Sequence, residues 1–168
     1  MAATLKKKLL IPPIKAAAIE AINKLGIKTK YSNYEYKIYG KGINGYKYKK
    51  NLTINAKNSG TLGRLILGLL INTPYEIKLI GDKSLSKRDF KRISDPLTKF
   101  GAKFKLKKNK NLPLKIFGSG KLNSINYVER KGSAQCKSAI MFGAMRSEGT
   151  TFIKAKKSRN HTELLCKH

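Results

Sequence analysis

The feature that most constrains this chain is that it repeats itself. Ile22 to Lys28 resembles Leu97 to Lys103, displaced by 75 residues. Tyr36 to Gly42 resembles Leu114 to Gly120, displaced by 78, and Leu65 to Gly68 resembles Ile140 to Gly143, displaced by 75. Three phrases in one order at nearly one displacement indicate a duplicated supersecondary unit. The period is too long for a solenoid repeat.

Each copy decodes the same way. In the first, Ile14, Ala18, Ala21, Ile22 and Leu25 recur at helical spacing and stop at Gly26, a residue suited to a helix C-terminus. Short strands are predicted at Ile27–Tyr31 and Tyr34–Tyr39, followed by a Gly-Lys-Gly turn, and a third at Leu52–Ala56. A second helix over Thr61–Ile71 and a strand over Glu76–Ile80 close the copy. The second copy reads as a helix over Lys87–Phe100, strands near Ala102–Leu106, Leu112–Phe117 and Ser124–Val128, a helix over Gln135–Met145 and a strand over Thr150–Lys154. The second helix of each copy is apolar almost all round, which predicts helices inside and sheets outside. The expectation is therefore an α/β fold of repeated βαβαββ units. The repeat divides residues 14–168 into unit one, about 14–86, and unit two, about 87–168.

Charge narrows the partner. The chain carries 37 Lys and Arg against 9 Asp and Glu, a formal net charge of +28, so an anionic substrate or partner is expected. Almost all of the excess is lysine; there are six arginines, whereas nucleic-acid readers favour arginine's planar fork. Lys6–Lys8 and Lys103–Lys110 read as solvated lysine faces. Cys136 and Cys166 have neither metal-ligand nor disulfide-framework spacing, which fits a reduced cytoplasmic setting. The longest apolar run, Leu65–Ile71, is far short of a membrane span, and Pro12, Pro13 and Lys15 interrupt any signal-peptide core. No Ser-His-Asp set and no Walker loop is present.

The residues able to bind an anion fall at repeat-equivalent places. Asn58-Ser59-Gly60-Thr61 and Gly132-Ser133-Ala134-Gln135 each lie where a strand turns into an apolar helix, and a helix start offers free N–H groups. Gly81 to Arg88 and Ser158 to Glu163 are polar, loop-like segments following the last strand of each copy. Their arginines, Arg88 and Arg159, can hold a carboxylate or phosphate bidentately.

These phrases together resemble the EPSP synthase family, the enolpyruvyl transferases of the shikimate pathway. The family's N-[AS]-G-T-x-x-R stands here as Asn58 to Arg64, and its G-D-x-S-L-x-x-R as Gly81 to Arg88, followed by Arg92, Pro96-Leu97 and Gly101-Ala102. Its S-A-Q-x-K-S-A is Ser133 to Ala139, and its S-R-[DN]-H-T-E is Ser158 to Glu163. The resemblance implies a single domain over residues 14–168, with residues 1–13 an N-terminal strand (near Lys6–Ile11) and linker. It further implies a carboxyvinyl transfer from phosphoenolpyruvate to shikimate 3-phosphate in aromatic amino-acid biosynthesis, with no metal or organic cofactor. It implies that Ser133, Ala134, Gln135, Ser158 and Arg159 hold shikimate 3-phosphate. Gly60 and Arg88 would line the phosphoenolpyruvate site, with Gln135 shared between the ligands.

Departures accompany the match. The family's early P-G-x-K-S-x-x-x-R phrase supplies a lysine, a serine and an arginine, whereas Pro12 to Glu20 offers only Lys15, with Ala16 and Glu20 at the other two places. Lys15 is either that lysine or, with the loop deleted, a residue that merely sits near a helix start. The family's second domain, with its acid–base carboxylate, is expected to be absent, so no catalytic residue is assigned. A separate chain carrying that domain is a candidate partner. The alternatives are a non-catalytic module binding shikimate 3-phosphate or another anion, and a basic nucleic-acid-binding domain. The second of these lacks an aromatic-rich face, so contact with nucleic acid is expected to be non-specific and salt-sensitive.

Overall fold

The computed structural model describes residues 2–6, 13–43 and 45–167. The chain runs through β1 (Ala2–Lys6), α1 (Pro13–Lys24), β2 (Lys28–Ser32), β3 (Glu35–Tyr39), β4 (Leu52–Asn55), α2 (Gly60–Leu69) and β5 (Ile77–Ile80). It continues through α3 (Lys83–Ser86), α4 (Lys91–Thr98), β6 (Lys103–Lys107), β7 (Asn111–Phe117), β8 (Asn126–Glu129), α5 (Ala134–Ala144), β9 (Phe152–Ala155) and α6 (His161–Leu165). Hence α1-β2-β3-β4-α2-β5 and α4-β6-β7-β8-α5-β9 follow one order, and the fold is mixed α/β as the repeat implies.

A repeat has no privileged starting point, and the sheets choose one. Taken from β4, the order is β-α-β-α-β-β once the short α3 is set aside, and its four strands form one sheet in the order β4-β5-β7-β6. The β4–β5 pair is parallel, joined through α2; β7 then adds antiparallel to β5 and β6 to β7. Alternation sorts the side chains. Ile54, Ile77, Leu79, Leu114 and Ile116 face inward and are buried, while Lys78, Lys105 and Lys115 stand side by side on the outer face. The other two sheets hold parts of this pattern. One is β1-β3-β2, all antiparallel; the other is the parallel pair β8-β9.

The inner layer is α2 against α5, with α1 and α4 flanking. Both central helices are rich in small and aliphatic residues, and their backbones nearly touch. A Cβ on Gly68 would lie 2.0 Å from the carbonyl oxygen of Ala139, so only glycine permits this crossing. Ile66, Leu67, Leu70, Ile71, Ala139 and Ile140 join a single core with Phe90, Leu97 and Phe100. Gly26 ends α1 at φ +83°, where a side chain would strike the carbonyl of Lys47.

Most strands and both inner helices lie within two residues of the expected bounds. The chain departs from expectation at three places. The helix expected over Lys87–Phe100 begins only at Lys91. Before it, Asp82 caps the separate turn α3 by accepting from the Leu85 N–H at 2.7 Å, and the Arg88 N–H closes that turn on Leu85. Phe90 must reach the core, where it is fully buried, and its N–H donates to Lys110, so the chain cannot run helically through residues 87–90. Ser158 to Glu163, expected as a loop, runs into α6 at His161. The strand expected near Lys6–Ile11 is described at Ala2–Lys6, and residues 7–12 lie outside the described part.

Candidate anion site at two helix starts

The two strand-to-helix junctions are built alike. Ser59 accepts from the Leu62 N–H at 3.1 Å, and Ser133 from the Cys136 N–H at 3.3 Å, so each caps its helix through the side chain. A serine hydroxyl that accepts in this way still has its proton to donate. The first N–H groups of α2 and α5 have no partner within their own helices. Because α2 and α5 pack side by side, both starts open to the same end of the layer.

Side chains tie the junctions together. Gln135, at the second position of α5, reaches across to α2: its Nε2 donates to Thr61 Oγ1 at 2.8 Å, and its Oε1 accepts from Arg64 Nη1 at 2.6 Å. Arg64 is half-buried. Burial lowers its pKa, a tendency that the nearby positive charges of Arg88 and Arg92 reinforce and Cys136 opposes. The Arg88 guanidinium lies over Gly60, with Nη1 2.8 Å from where a Cβ would be. Asn58 donates to the Asp82 carboxylate, and the Asp82 N–H donates to Lys57 at 2.8 Å, which fixes the Arg88-bearing turn to the β4–α2 junction. The Leu85 N–H, then Asn58, hold the Asp82 carboxyl below its ordinary range. Beside it opens a cleft of about 630 Å³ lined by Asp82, Lys83, Ser84, Lys87 and Arg88.

On the other side, the β9–α6 connection lies against the start of α5. Lys157 O is 3.6 Å from a Cβ placed on Gly132. Helix α6 is fastened to α5 by Ser138 Oγ and Thr162 Oγ1, 2.7 Å apart, and by the ion pair of Lys137 with Glu163. Burial pushes the Glu163 carboxyl up, but Lys137 more than offsets this and the net pKa is lowered. The Oγ of Ser158 is buried with no hydrogen-bond partner among the described residues, whereas Arg159 is exposed. An unpaired buried hydroxyl costs about 1–3 kcal/mol, which an incoming oxygen can offset.

The structure therefore gathers Gly60, Arg88 and Gln135 directly, with Ser133 and Ala134 on the first residues of the same helix. Ser158 and Arg159 lie on the β9–α6 connection, whose Lys157 carbonyl is near Gly132 at the start of α5. Lys15 is exposed in the first turn of α1. Sequence reasoning gave Arg64 and Glu129 no place in the site and read Thr61 only as part of the helix-start phrase. Thr61 and Arg64 are three apart on α2, hence on one face, and that spacing was the available signal. Glu129 is buried, accepts from the Ser133 N–H at 2.8 Å and lies 3.7 Å from Arg92 Nη2. It braces the α5 start from behind. No group of three or more His, Cys, Asp or Glu converges among the described residues.

Residues 13–168 match the profile of the family EPSP synthase (3-phosphoshikimate 1-carboxyvinyltransferase). A 3-phosphoshikimate 1-carboxyvinyltransferase of Streptococcus agalactiae is 42% identical over 149 residues, 88% of this chain and 35% of that protein. One from Caldicellulosiruptor bescii is 47% identical over 117 residues, 68% of this chain and 27% of that protein. An EPSP synthase structure from Acinetobacter baumannii superposes with a TM-score of 0.87 at 31% identity, over 96% of this chain and 37% of that one. The chain thus spans about a third of the length of these relatives. The motif phrases, the repeat-built fold and these similarities converge: the chain belongs to the EPSP synthase family.

Proposed function

We propose that this chain is the part of a carboxyvinyl transferase that holds shikimate 3-phosphate, through Ser133, Ala134, Gln135, Ser158 and Arg159, with Gly60, Arg88 and Gln135 facing phosphoenolpyruvate. The observation that carries this reading is the Gln135 bridge. It joins two helix starts that both present hydrogen-bond donors, with a guanidinium over the glycine of one and, near the other, a buried hydroxyl that has no partner among the described residues. Both substrates are anions, and N–H, hydroxyl and guanidinium groups are donors. Family membership supports cytoplasmic residence; among the described residues no helix is long and apolar enough to cross a membrane. We read residues 14–168 as one domain of the family's fold. A chain supplying the second domain is then the partner that would complete the site.

Turnover by this chain alone is not expected. Addition of a hydroxyl to the enol phosphate of phosphoenolpyruvate, followed by elimination of phosphate, needs a general acid and base, worth about 10²–10⁴-fold in rate. The carboxylates around the site are committed elsewhere: Asp82 caps α3, Asp89 accepts from the Lys91 N–H, Glu129 is buried behind Ser133, and Glu163 pairs with Lys137. Arg88 is exposed, where water screens its field. The reading is therefore of a weak binding module, and contact with nucleic acid through its lysines is non-specific and salt-sensitive. Titration with shikimate 3-phosphate, followed by amide NMR, tests it. Shifts should centre on Ser133, Gln135, Ser158 and Arg159 at millimolar ligand. Shifts centred elsewhere, or none, would refute the site. Rapid phosphate release from both substrates, abolished by Arg88→Ala, would instead make the chain an enzyme by itself.

A further inference from the structure

A primary amide presents two chemically opposite ends of nearly equal shape. Which end of Gln135 faces an anion decides whether it attracts or repels, and its neighbours alone can set that choice. Thr61 cannot, because a hydroxyl both donates and accepts. Arg64 can, because a guanidinium only donates. With Arg64 Nη1 2.6 Å from one end of the Gln135 amide, that end must be the oxygen, and the NH₂ group is turned to Thr61, 2.8 Å away. One of the two N–H bonds of Nε2 is spent on Thr61, and the second makes no hydrogen bond among the described residues.

We propose that Arg64 is a positioning residue: by pinning the carbonyl oxygen of Gln135, it forces the NH₂ end toward the anion site. In its absence the amide can flip, the oxygen turns toward the ligand, and a donor becomes a repulsive acceptor. Arg64 sits one helical turn into α2, behind Thr61, and acts through Gln135 rather than on the ligand. The consequence for binding rests on the anion-site reading above; the orientation of the amide does not.

The test uses the chain as it is, with Arg64→Leu, Arg64→Lys, Gln135→Leu and the double variant Arg64→Leu/Gln135→Leu. The first readout needs no ligand. The two side-chain N–H resonances of Gln135 should form a separate, dispersed pair in the parent and in Arg64→Lys, which still offers only donors. In Arg64→Leu they should move to the position of a free glutamine. The second readout is shikimate 3-phosphate affinity. Arg64→Leu and Gln135→Leu should each weaken it about 10-fold, the loss of one hydrogen bond to a charged group. The double variant should lose little more than either, because both remove the same contact, and Arg64→Lys should recover most of the loss. Multiplying losses would mean that Arg64 touches the ligand itself, and would overturn the proposal. So would an unchanged Gln135 pair in Arg64→Leu. If the parent binds no shikimate 3-phosphate, the functional reading fails while the Gln135 pair still decides the role of Arg64. Should Arg64→Leu not fold, Arg64→Gln serves, since it offers both a donor and an acceptor and should broaden the pair by permitting flips. A sharp, parent-like pair there would likewise overturn the proposal.

Discussion

The β4-β5-β7-β6 sheet and the β8-β9 pair begin from the same plan and end differently. Both start with a parallel pair bridged by an inner helix, α2 in one and α5 in the other. In the first, the hairpin β6-β7 adds to the free edge of β5, and the sheet's inner face disappears into the core. In the second, no described strand pairs with the other edge of β9. Val128 is 53% and Phe152 66% exposed. The β1-β3-β2 sheet supplies the converse case: a hairpin on β1, as β6-β7 lies on β5, but no described parallel strand on the other side. The difference teaches that sequence repetition alone does not bury a unit. A copy is finished when the following copy's hairpin closes its sheet.

Three experiments would break or sharpen that contrast. The largest effect should come from truncating an aromatic in the closed half. Phe90→Ala should cost about 3–5 kcal/mol in urea unfolding, whereas Phe152→Ala, at an open edge, should stay within about 0.5 kcal/mol. Equal losses would show that β9 belongs to the same packed unit as β5. Amide hydrogen exchange should give an intermediate difference. The amides of β5, paired on both edges, should exchange only through near-global unfolding, and those of β9 through a local opening roughly 2–3 kcal/mol easier. Matched protection would count against an open edge. The smallest effect concerns the attachment of α6. The Glu163 carboxyl has its pKa lowered in the folded chain, so its contribution is complete above its ordinary value of 4.5 and is lost as pH falls below that. The pair is partly exposed, so the loss should be under about 1 kcal/mol. It should be visible as α6 amide shifts absent in Glu163→Gln, and a pH-independent α6 would contradict it.

Much of this was legible in the sequence, for reasons that can be named. The inner helices were, because Leu65 to Leu70 and Ala139 to Ile140 are apolar on every side. So were the capped junctions, because a serine three residues before an N–H it can accept from is a local device. The break before α4 was not. It depends on Phe90 being drawn into a core assembled by distant residues, and on Asp82 and Asp89 capping turns that a helical pattern conceals. Arg64 was read only as a letter of a motif. Its meaning lies in Gln135, 71 residues away, and periodicity carries no information about which end of an amide a neighbour selects. The open edge of β9 also escaped the reading, since the repeat was framed from its helices, whereas the sheets divide the chain at β4.

On the proposed anion-site reading, the contact of Gly68 with the Ala139 backbone has a bearing on ligand choice. Two helices resting on each other through main chain cannot slide closer, and a gap opened between them would not be filled by any side chain at that point. Their leading ends therefore act like the jaws of a fixed-gauge instrument. The distance between the two sets of donors is set by atoms that selection cannot readily resize. If the proposed anion site is right, discrimination among phosphorylated rings of different span must then fall to the side chains and turn around that fixed gap, Arg88 and Arg159 and the β9–α6 connection. Variants selected to accept a larger ring should accumulate changes around Arg88 and Ser158, and leave Gly68 alone.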